Sequence, residues 1–363
     1  MRLALLIYGS LDSLSGGYLY DRKMVDYLQA QGDSVTVLSL PWRDYPRHLL
    51  DNFSLRLLER LVGLEVEALI QDELNHPSVS WLNYQLKDRV RYPLVSIVHH
   101  LRCCEARPAW QNGIYRHVER RYLTSVDGFI FNSQTTREVV TGLLDECPPG
   151  VVAYPSGDRL APEISEDELR RRADLPGPLR IFFLGNLIPR KGLHTLLEAL
   201  HRLPEDTWRL TVTGSLEMDR GYAARIRRLT SELGLAENVQ FTGPLENEPL
   251  VEQFRSNQLV AVPSSYEGFG IAYLEGMGFG LPAIASTGGA AGEIITHGAD
   301  GYLIAPGDAG QLAVYLNHLA QDRDLLSRMS LAARRRYATH PTWEQTGVCI
   351  RRFLGQMVGK PYG

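Results

Sequence analysis

Short apolar runs of strand length alternate with stretches of helical periodicity along most of the chain, and this alternation restricts the fold more than any other feature. LALLIY (3–8) precedes a helix-like GYLYDRKMVDYLQAQ (17–31), followed by SVTVLSL (34–40), a long apolar-periodic segment over 53–68, and LVSIVHH (94–100). A helical stretch over 108–125, FIFNS (129–133), a short helix and VVAYP (151–155) continue the pattern. Alternation of this kind predicts a parallel sheet covered by helices on both faces. The charged stretch SEDELRRRADLPGP (165–178) then interrupts the rhythm and reads as a short connecting helix ending in a Pro/Gly linker. The rhythm restarts with LRIFFLG (179–185), LTVTG (210–214), VQFTG (239–243), LVAVPS (259–264) and LPAIAS (281–286). A chain of 363 residues is long enough to bury two cores. The expectation is therefore α/β, with two doubly wound domains over 1–160 and 161–340 facing each other across a cleft that holds the ligand at the carboxyl ends of the strands.

Composition narrows the function. With 44% hydrophobic residues, 22% charged residues and a net charge of -4, the chain reads as globular and not as a general nucleic-acid binder. Cys103, Cys104, Cys147 and Cys349 have neither C-x-x-C spacing nor histidines at zinc-finger distances, which disfavours a disulfide framework or a structural zinc site. LALLIY is too short for a signal-peptide core, and no apolar run approaches the roughly 18 residues of a membrane span. The expected compartment is the cytoplasm.

Chemistry concentrates in SSYEGFGIAYLEGMGFGLPAIAS (264–286), where Glu267 and Glu275 lie eight residues apart beside a glycine-rich turn. A strand that runs through EGFG into a helix aims backbone N–H groups and the positive end of a helix dipole at whatever lies in front, which is an anion site. Glu267 sits in the turn and Glu275 inside the helix, so the two carboxylates reach different parts of one ligand. That ligand is anionic in its middle and hydroxyl-rich at both ends, the layout of a nucleotide sugar.

The stretch resembles the signature of retaining glycosyltransferases of family 4, which have the GT-B fold: S-x-x-E-G-F-G-x4-E-[AG]-M followed by G-x-P-x-[IV]-A. It matches at Ser264, Glu267, Gly268, Phe269, Gly270, Glu275, Gly276, Met277, Gly280, Pro282, Ile284 and Ala285. The resemblance implies a metal-independent hexosyltransferase with no cofactor beyond its nucleotide-sugar substrate, a UDP- or GDP-sugar. It also implies that the last segment, 341–363 with helical periodicity from Trp343, returns to the first domain.

A second match, FFLGNLIPRKGLHTLLEAL (182–200), resembles the family's G-R-L-x-x-x-K-G. Arg190 and Lys191 precede a helix and supply a fork and a point charge for a diphosphate, whereas Asn186 stands where many members carry arginine. Gly16 and Gly17 open the helix after the first strand and permit close backbone approach to phosphate or sugar. Their spacing is not G-x-G-x-x-G, and no acidic residue ends the second strand, which argues against a nicotinamide dehydrogenase. His99 matches a family histidine close to the transferred sugar, and His100 follows it. By the same resemblance Glu275 serves the ribose, Glu267 with the amides of Gly268, Phe269 and Gly270 serves the sugar and phosphate, and Gly243 with Pro244 flanks the base.

The acceptor side is less defined. RCCEARPAWQNGIYRHVERRYL (102–123) interleaves five arginines with aromatics, a pattern that suits either an anionic membrane surface bearing lipid-linked acceptors or a packed helix with a solvated basic face. QDELNHPS (71–78) places Asp72, Glu73, Asn75 and His76 after a strand, either to bind acceptor hydroxyls or to cap a helix. The rival readings are a catalytically silent sugar-nucleotide-binding subunit, a sugar-nucleotide epimerase of the same fold and a glucan phosphorylase, which needs a pyridoxal-bearing lysine and a longer chain.

Overall fold

The computed structural model describes residues Met1–Gly359. The chain divides into two compact units, Met1–Pro155 together with the segment from Trp343 onward, and Ser156–Thr342. The last four residues of the expected 341–363 segment lie outside the described residues.

The first unit holds a six-stranded parallel sheet of β1 (Arg2–Tyr8), β2 (Ser34–Leu40), β3 (Ala68–Asp72), β4 (Leu94–Val98), β5 (Gly128–Phe131) and β6 (Gly150–Val152). The order is β2-β1-β3-β4-β5-β6. β3, β4 and β5 are buried at every residue, as strands covered on both faces must be, whereas β2 at the edge is buried only at Leu38 and Leu40. Helix Trp343–Val358 belongs to this unit. Gly347 lies so close to the Tyr27 ring that a Cβ there would fall 2.2 Å from it, and Gly128 faces Met357 and Phe353 in the same way at 3.0 and 3.1 Å. Thr346 donates to the Tyr154 carbonyl at 2.6 Å, and Arg351 pairs with the buried Asp33 at 2.7 Å.

The second unit repeats the plan with β7 (Leu179–Leu184), β8 (Trp208–Thr213), β9 (Val239–Gly243), β10 (Leu259–Val262), β11 (Ala283–Ser286) and β12 (Gly301–Ile304), in the order β12-β11-β10-β7-β8-β9. The strand order reverses between β1 and β3 in the first sheet and between β7 and β10 in the second. At such a point the loops leaving neighbouring strands diverge to opposite faces and leave a crevice at the carboxyl ends.

Three expectations about elements change. The segment 53–68 is not one element: helix Leu55–Val62 stops at Gly63, whose N–H returns to Glu59, and β3 begins at Ala68. β12 was not among the expected strands, and its Gly301 is required because a Cβ would fall 2.1 Å from the Ala283 carbonyl oxygen. The first unit ends at Pro155 rather than at 160, because the turn Asp158–Leu160 packs on helix Ile271–Gly278 of the second unit.

Candidate active site

At the switch point of the second sheet, the loop after β7 and the loop after β10 interlock. Ser265 donates its backbone N–H to the Arg190 carbonyl at 2.7 Å. Gly192, at φ +72°, passes so close that a Cβ would fall 2.1 Å from the Pro263 carbonyl oxygen, so only glycine permits the approach. This contact brings Arg190, Lys191 and Glu267 together. Lys191 Nζ lies 2.7 Å from Glu267 Oε2, Arg190 Nη1 lies 3.7 Å from Oε1, and Ser264 Oγ donates to Oε2 at 3.0 Å. Arg190 also donates to the Tyr266 carbonyl at 2.8 Å. The Glu267 backbone is pinned against Gly288 and Ala290, and a Cβ on Gly289 would fall 2.0 Å from its carbonyl oxygen.

Burial pushes the Glu267 carboxyl up, but Lys191 and Arg190 outweigh it and hold the group down at about 2. Burial lowers the Lys191 ammonium, and the adjoining carboxylate opposes that shift. The two cations expected to face a diphosphate are thus already engaged by Glu267, which spaces and orients them.

Helix Ile271–Gly278 carries Glu275 away from this cluster. Gly270 at φ +108° opens it, Phe269 is buried beside His340, and Gly276 and Gly278 sit where a Cβ would reach Val260 at 2.5 Å and Pro162 at 2.9 Å. Gly276 lets the helix lie directly on β10, and Gly278 admits Pro162 and the Tyr337 ring. Glu275 is 2% exposed, and Arg159 Nε donates to its Oε1. Burial raises the Glu275 carboxyl, and Arg159 offsets part of the rise.

Beside these residues Gly185, Gly214 and Gly243 follow β7, β8 and β9 or end them, forming a row without side chains. A Cβ on Gly214 would fall 2.0 Å from the Gly185 carbonyl oxygen, and Gly214 donates its N–H to Gly243 at 3.1 Å. Asn186 Oδ1 accepts the Ser215 N–H at 3.1 Å, tying the loop after β7 to the loop after β8. Pro244 is exposed next to Gly243.

In the first unit the histidines part. His99 turns inward, with Nε2 3.2 Å from Asp21 Oδ1 and its backbone N–H on Glu73 Oε2 at 2.9 Å. Tyr20 meets its ring edge-on at 5.3 Å, and the missing side chain of Gly17 makes room for it, since a Cβ there would lie 3.2 Å from His99 Cδ2. Gly16 begins the same helix, Gly16–Ala30, behind the cap Ser15. Burial disfavours the His99 charge, but the hydrogen bond and charge of Asp21, then Glu73 and Asp72, carry the group up to about 10. Burial and the neighbouring Asp21 and Glu73 push Asp72 well above the carboxylate range. Asp21, Asp72 and His99 offer ligand atoms within 4.8 Å of one another. His100 instead meets Glu105 Oε1 at 3.0 Å.

Between the two readings of 71–78 the geometry favours capping: Asp72 accepts the Leu74 N–H at 2.9 Å, Asn75 donates to the Leu6 carbonyl, and His76 is buried against Tyr45. In 102–123, Arg102 lies over the Tyr45 and Tyr115 rings, and Arg121 lies over Trp81 at 3.8 Å. Trp110 and Ile114 are 71% and 51% exposed one turn apart, beside exposed Arg116 and Arg120. Among the described residues no helix is long and apolar enough to cross a membrane.

Two residues of these clusters escaped sequence reasoning. Asp21 carried a signal, a carboxylate on the face that buries Tyr18, Val25 and Leu28. Arg159 carried none.

Residues 165–336 match the family described as Glycosyl transferases group 1. A D-inositol 3-phosphate glycosyltransferase of Nocardia farcinica is 31% identical over 279 residues, covering 70% of this chain and 59% of that protein. A GDP-mannose-dependent alpha-(1-6)-phosphatidylinositol monomannoside mannosyltransferase of Mycobacterium tuberculosis is 29% identical over 258 residues, 66% of this chain and 65% of the relative. The chain thus spans less than two thirds of these relatives. Among solved structures, sucrose-phosphate synthase from Thermosynechococcus elongatus superposes with a TM-score of 0.82 at 21% identity, covering 98% of both chains. Anabaena Alr3699/HepE, in complex with UDP and glucose, gives 0.76 at 19%, over 98% of this chain and 99% of the other. The second unit carries a group 1 glycosyltransferase domain, and the fold is GT-B, with two Rossmann-like domains.

Proposed function

We propose that this chain, whose second unit carries the group 1 glycosyltransferase domain, is a hexosyltransferase that moves a sugar from a nucleotide-sugar donor to a hydroxyl acceptor with retention at the anomeric carbon. The observation that carries the reading is Glu267 held between Lys191 and Arg190 at the switch point, with Glu275 eight residues on at the same sheet edge. In this reading Glu275 accepts from the ribose, the glycine row ending at Gly243 with Pro244 admits the base, and Lys191 and Arg190 neutralise the departing diphosphate. Glu267 and the amides of Gly268, Phe269 and Gly270 hold the sugar and phosphate. The acceptor hydroxyl approaches on the face from which the diphosphate leaves, and the leaving phosphate helps to remove its proton. The protein supplies position and fixed charge to an anomeric carbon of oxocarbenium character.

His99 with Gly16 and Gly17 is the first unit's candidate for sugar hydroxyls, and the engagement of Nε2 by Asp21 leaves Nδ1 for a ligand. The activities of the relatives, one of them GDP-mannose-dependent, support a nucleotide-sugar donor and an inositol- or lipid-type acceptor. Contact of Trp110, Ile114, Arg116 and Arg120 with the cytoplasmic face of an anionic membrane fits such an acceptor. A calorimetric screen of UDP-, GDP- and ADP-sugars, followed by donor hydrolysis without acceptor, tests the proposal. A chain that binds the donor and never cleaves it is a silent binding subunit.

Two results are expected of this site. Chelator leaves turnover unchanged, because positive charge for the diphosphate comes from Lys191 and Arg190; a strict requirement for magnesium or manganese in the chemical step refutes that. Glu275→Gln weakens binding of free nucleoside diphosphate by roughly 1.5 to 3 kcal/mol, the worth of a charged hydrogen bond. Parental affinity in that variant removes Glu275 from the ribose.

A further inference from the structure

The turn Asp158–Leu160 presses on helix Ile271–Gly278 more closely than side chains permit. A Cβ on Gly157 would fall 2.9 Å from the Glu275 backbone nitrogen and 3.0 Å from the Leu274 carbonyl oxygen. Past the turn, Ala161 is held at φ +44°, a left-handed conformation that costs a non-glycine residue about 1 kcal/mol, and Arg334 donates to the Pro162 carbonyl at 3.3 Å. This close packing brings Arg159 Nε onto Glu275 Oε1. The Arg159 side chain is 22% exposed and that of Glu275 is 3% exposed.

Two properties of the contact matter. An Arg that grips a carboxylate end-on through two N–H groups occupies both oxygens, whereas here a single N–H engages Oε1 and leaves Oε2 for a ligand. A buried carboxyl without a partner takes up a proton and then offers a donor where a ribose diol, itself a pair of donors, needs an acceptor.

We infer that Arg159 is the positioning residue of the nucleotide site: by fastening one oxygen of Glu275 it presents the other, ionised, to the ribose hydroxyls of a nucleoside diphosphate. This rests on the reading of Glu275 given above. Recognition of ribose then depends on a residue 116 positions away that need not touch the ligand.

The test measures binding of UDP and GDP, and of their 2′-deoxy forms, by calorimetry from pH 5.5 to 9 in the parent, Arg159→Met, Arg159→Lys and Glu275→Gln. The parent is expected to prefer the ribonucleotide, with affinity flat above neutral pH. Arg159→Met should lose about tenfold or more at pH 7, recover as pH rises, and discriminate little between ribose and deoxyribose at neutral pH. Arg159→Lys, which keeps the charge, should restore the flat profile. If Arg159→Met fails to fold, Arg159→Met/Glu275→Gln removes both charges together and should bind as Glu275→Gln does, because the arginine acts through that carboxylate.

Parental affinity in Arg159→Met overturns the inference, as does a loss equal at every pH. Tighter binding also overturns it, by showing that the arginine occupies the ribose position. Loss in the double variant well beyond that of Glu275→Gln does the same. If Glu275→Gln itself binds like the parent, the ribose assignment has failed; if it weakens binding while Arg159→Met does not, only the role of Arg159 has failed.

Discussion

Replacing Glu267 by alanine is expected to lower turnover by about 10²- to 10³-fold while leaving the affinity for free nucleoside diphosphate near parental or slightly tighter. Glu267 accepts from Lys191 at 2.7 Å and lies 3.7 Å from Arg190, so in its absence both cations keep their charge but lose the group that spaces them. Bare nucleotide binding needs the charge. Transfer needs it placed, because an interaction that matters mainly in the transition state shows in turnover more than in binding. Glu267→Gln retains the hydrogen bond from Ser264 and should lie between the two. With its carboxyl held down at about 2, Glu267 stays ionised throughout the working range, so no limb of the pH profile belongs to it. Paired measurements of nucleotide affinity and turnover decide: if Glu267→Ala loses bare-nucleotide affinity as badly as Glu275→Gln, the sugar and ribose ends have been assigned in the wrong order.

Stability should fall by several kcal/mol between about pH 6.5 and pH 10. Native His99 keeps its proton to about 10 against the penalty of burial, held by Asp21 and then Glu73, whereas the unfolded chain releases it near 6.5. The native state therefore binds more protons in this window; the contribution is complete below the lower value and is lost as pH rises through the upper one. Asp72, pushed up by burial and by Asp21 and Glu73, works in the same direction. So does Glu119, whose carboxyl is pushed up to about 9 by burial and by Cys103. Asp21→Asn acts on the His99 and Asp72 cluster without touching Glu119, since it removes the charge beside both, and the decline should become smaller and end at lower pH because its onset is set by the unfolded chain. Urea unfolding at pH 6.5, 8 and 9.5 measures both chains. Stability that is constant or rises with pH in the parent, or an unchanged slope in Asp21→Asn, contradicts the charged His99.

Sequence periodicity located eleven of the twelve strands among the described residues because each is a local run of apolar residues, and the missed one is β12, Gly301–Ile304. The helix in 53–68 was seen but not its end, since the stop depends on one glycine, Gly63, returning its N–H to the last turn. Gly276 and Gly278 looked costly as helix residues and become necessary once the helix lies on β10 at the first and against Pro162 and Tyr337 at the second. Cations and carboxylates were legible as residue types, but their mutual pairing was not: Lys191 and Arg190 read as free phosphate ligands and stand against Glu267 instead. His99 and His100 are adjacent in sequence and were not separable by it. The fold separates them, one toward Asp21 and the other toward Glu105.

The sequence by itself determined the two alternating halves, the glycine turns at the carboxyl ends of the strands and the chemical character of the Glu267 to Glu275 stretch, all of which are encoded within a few turns of chain. Tertiary structure alone decided which distant groups meet: Lys191 with Glu267 across 76 positions, His99 with Asp21 across 78, and Arg159 with Glu275 across 116. Strand order places such pairs side by side at a sheet edge, and burial then makes each partner's charge depend on the other, a coupling that residue spacing does not carry.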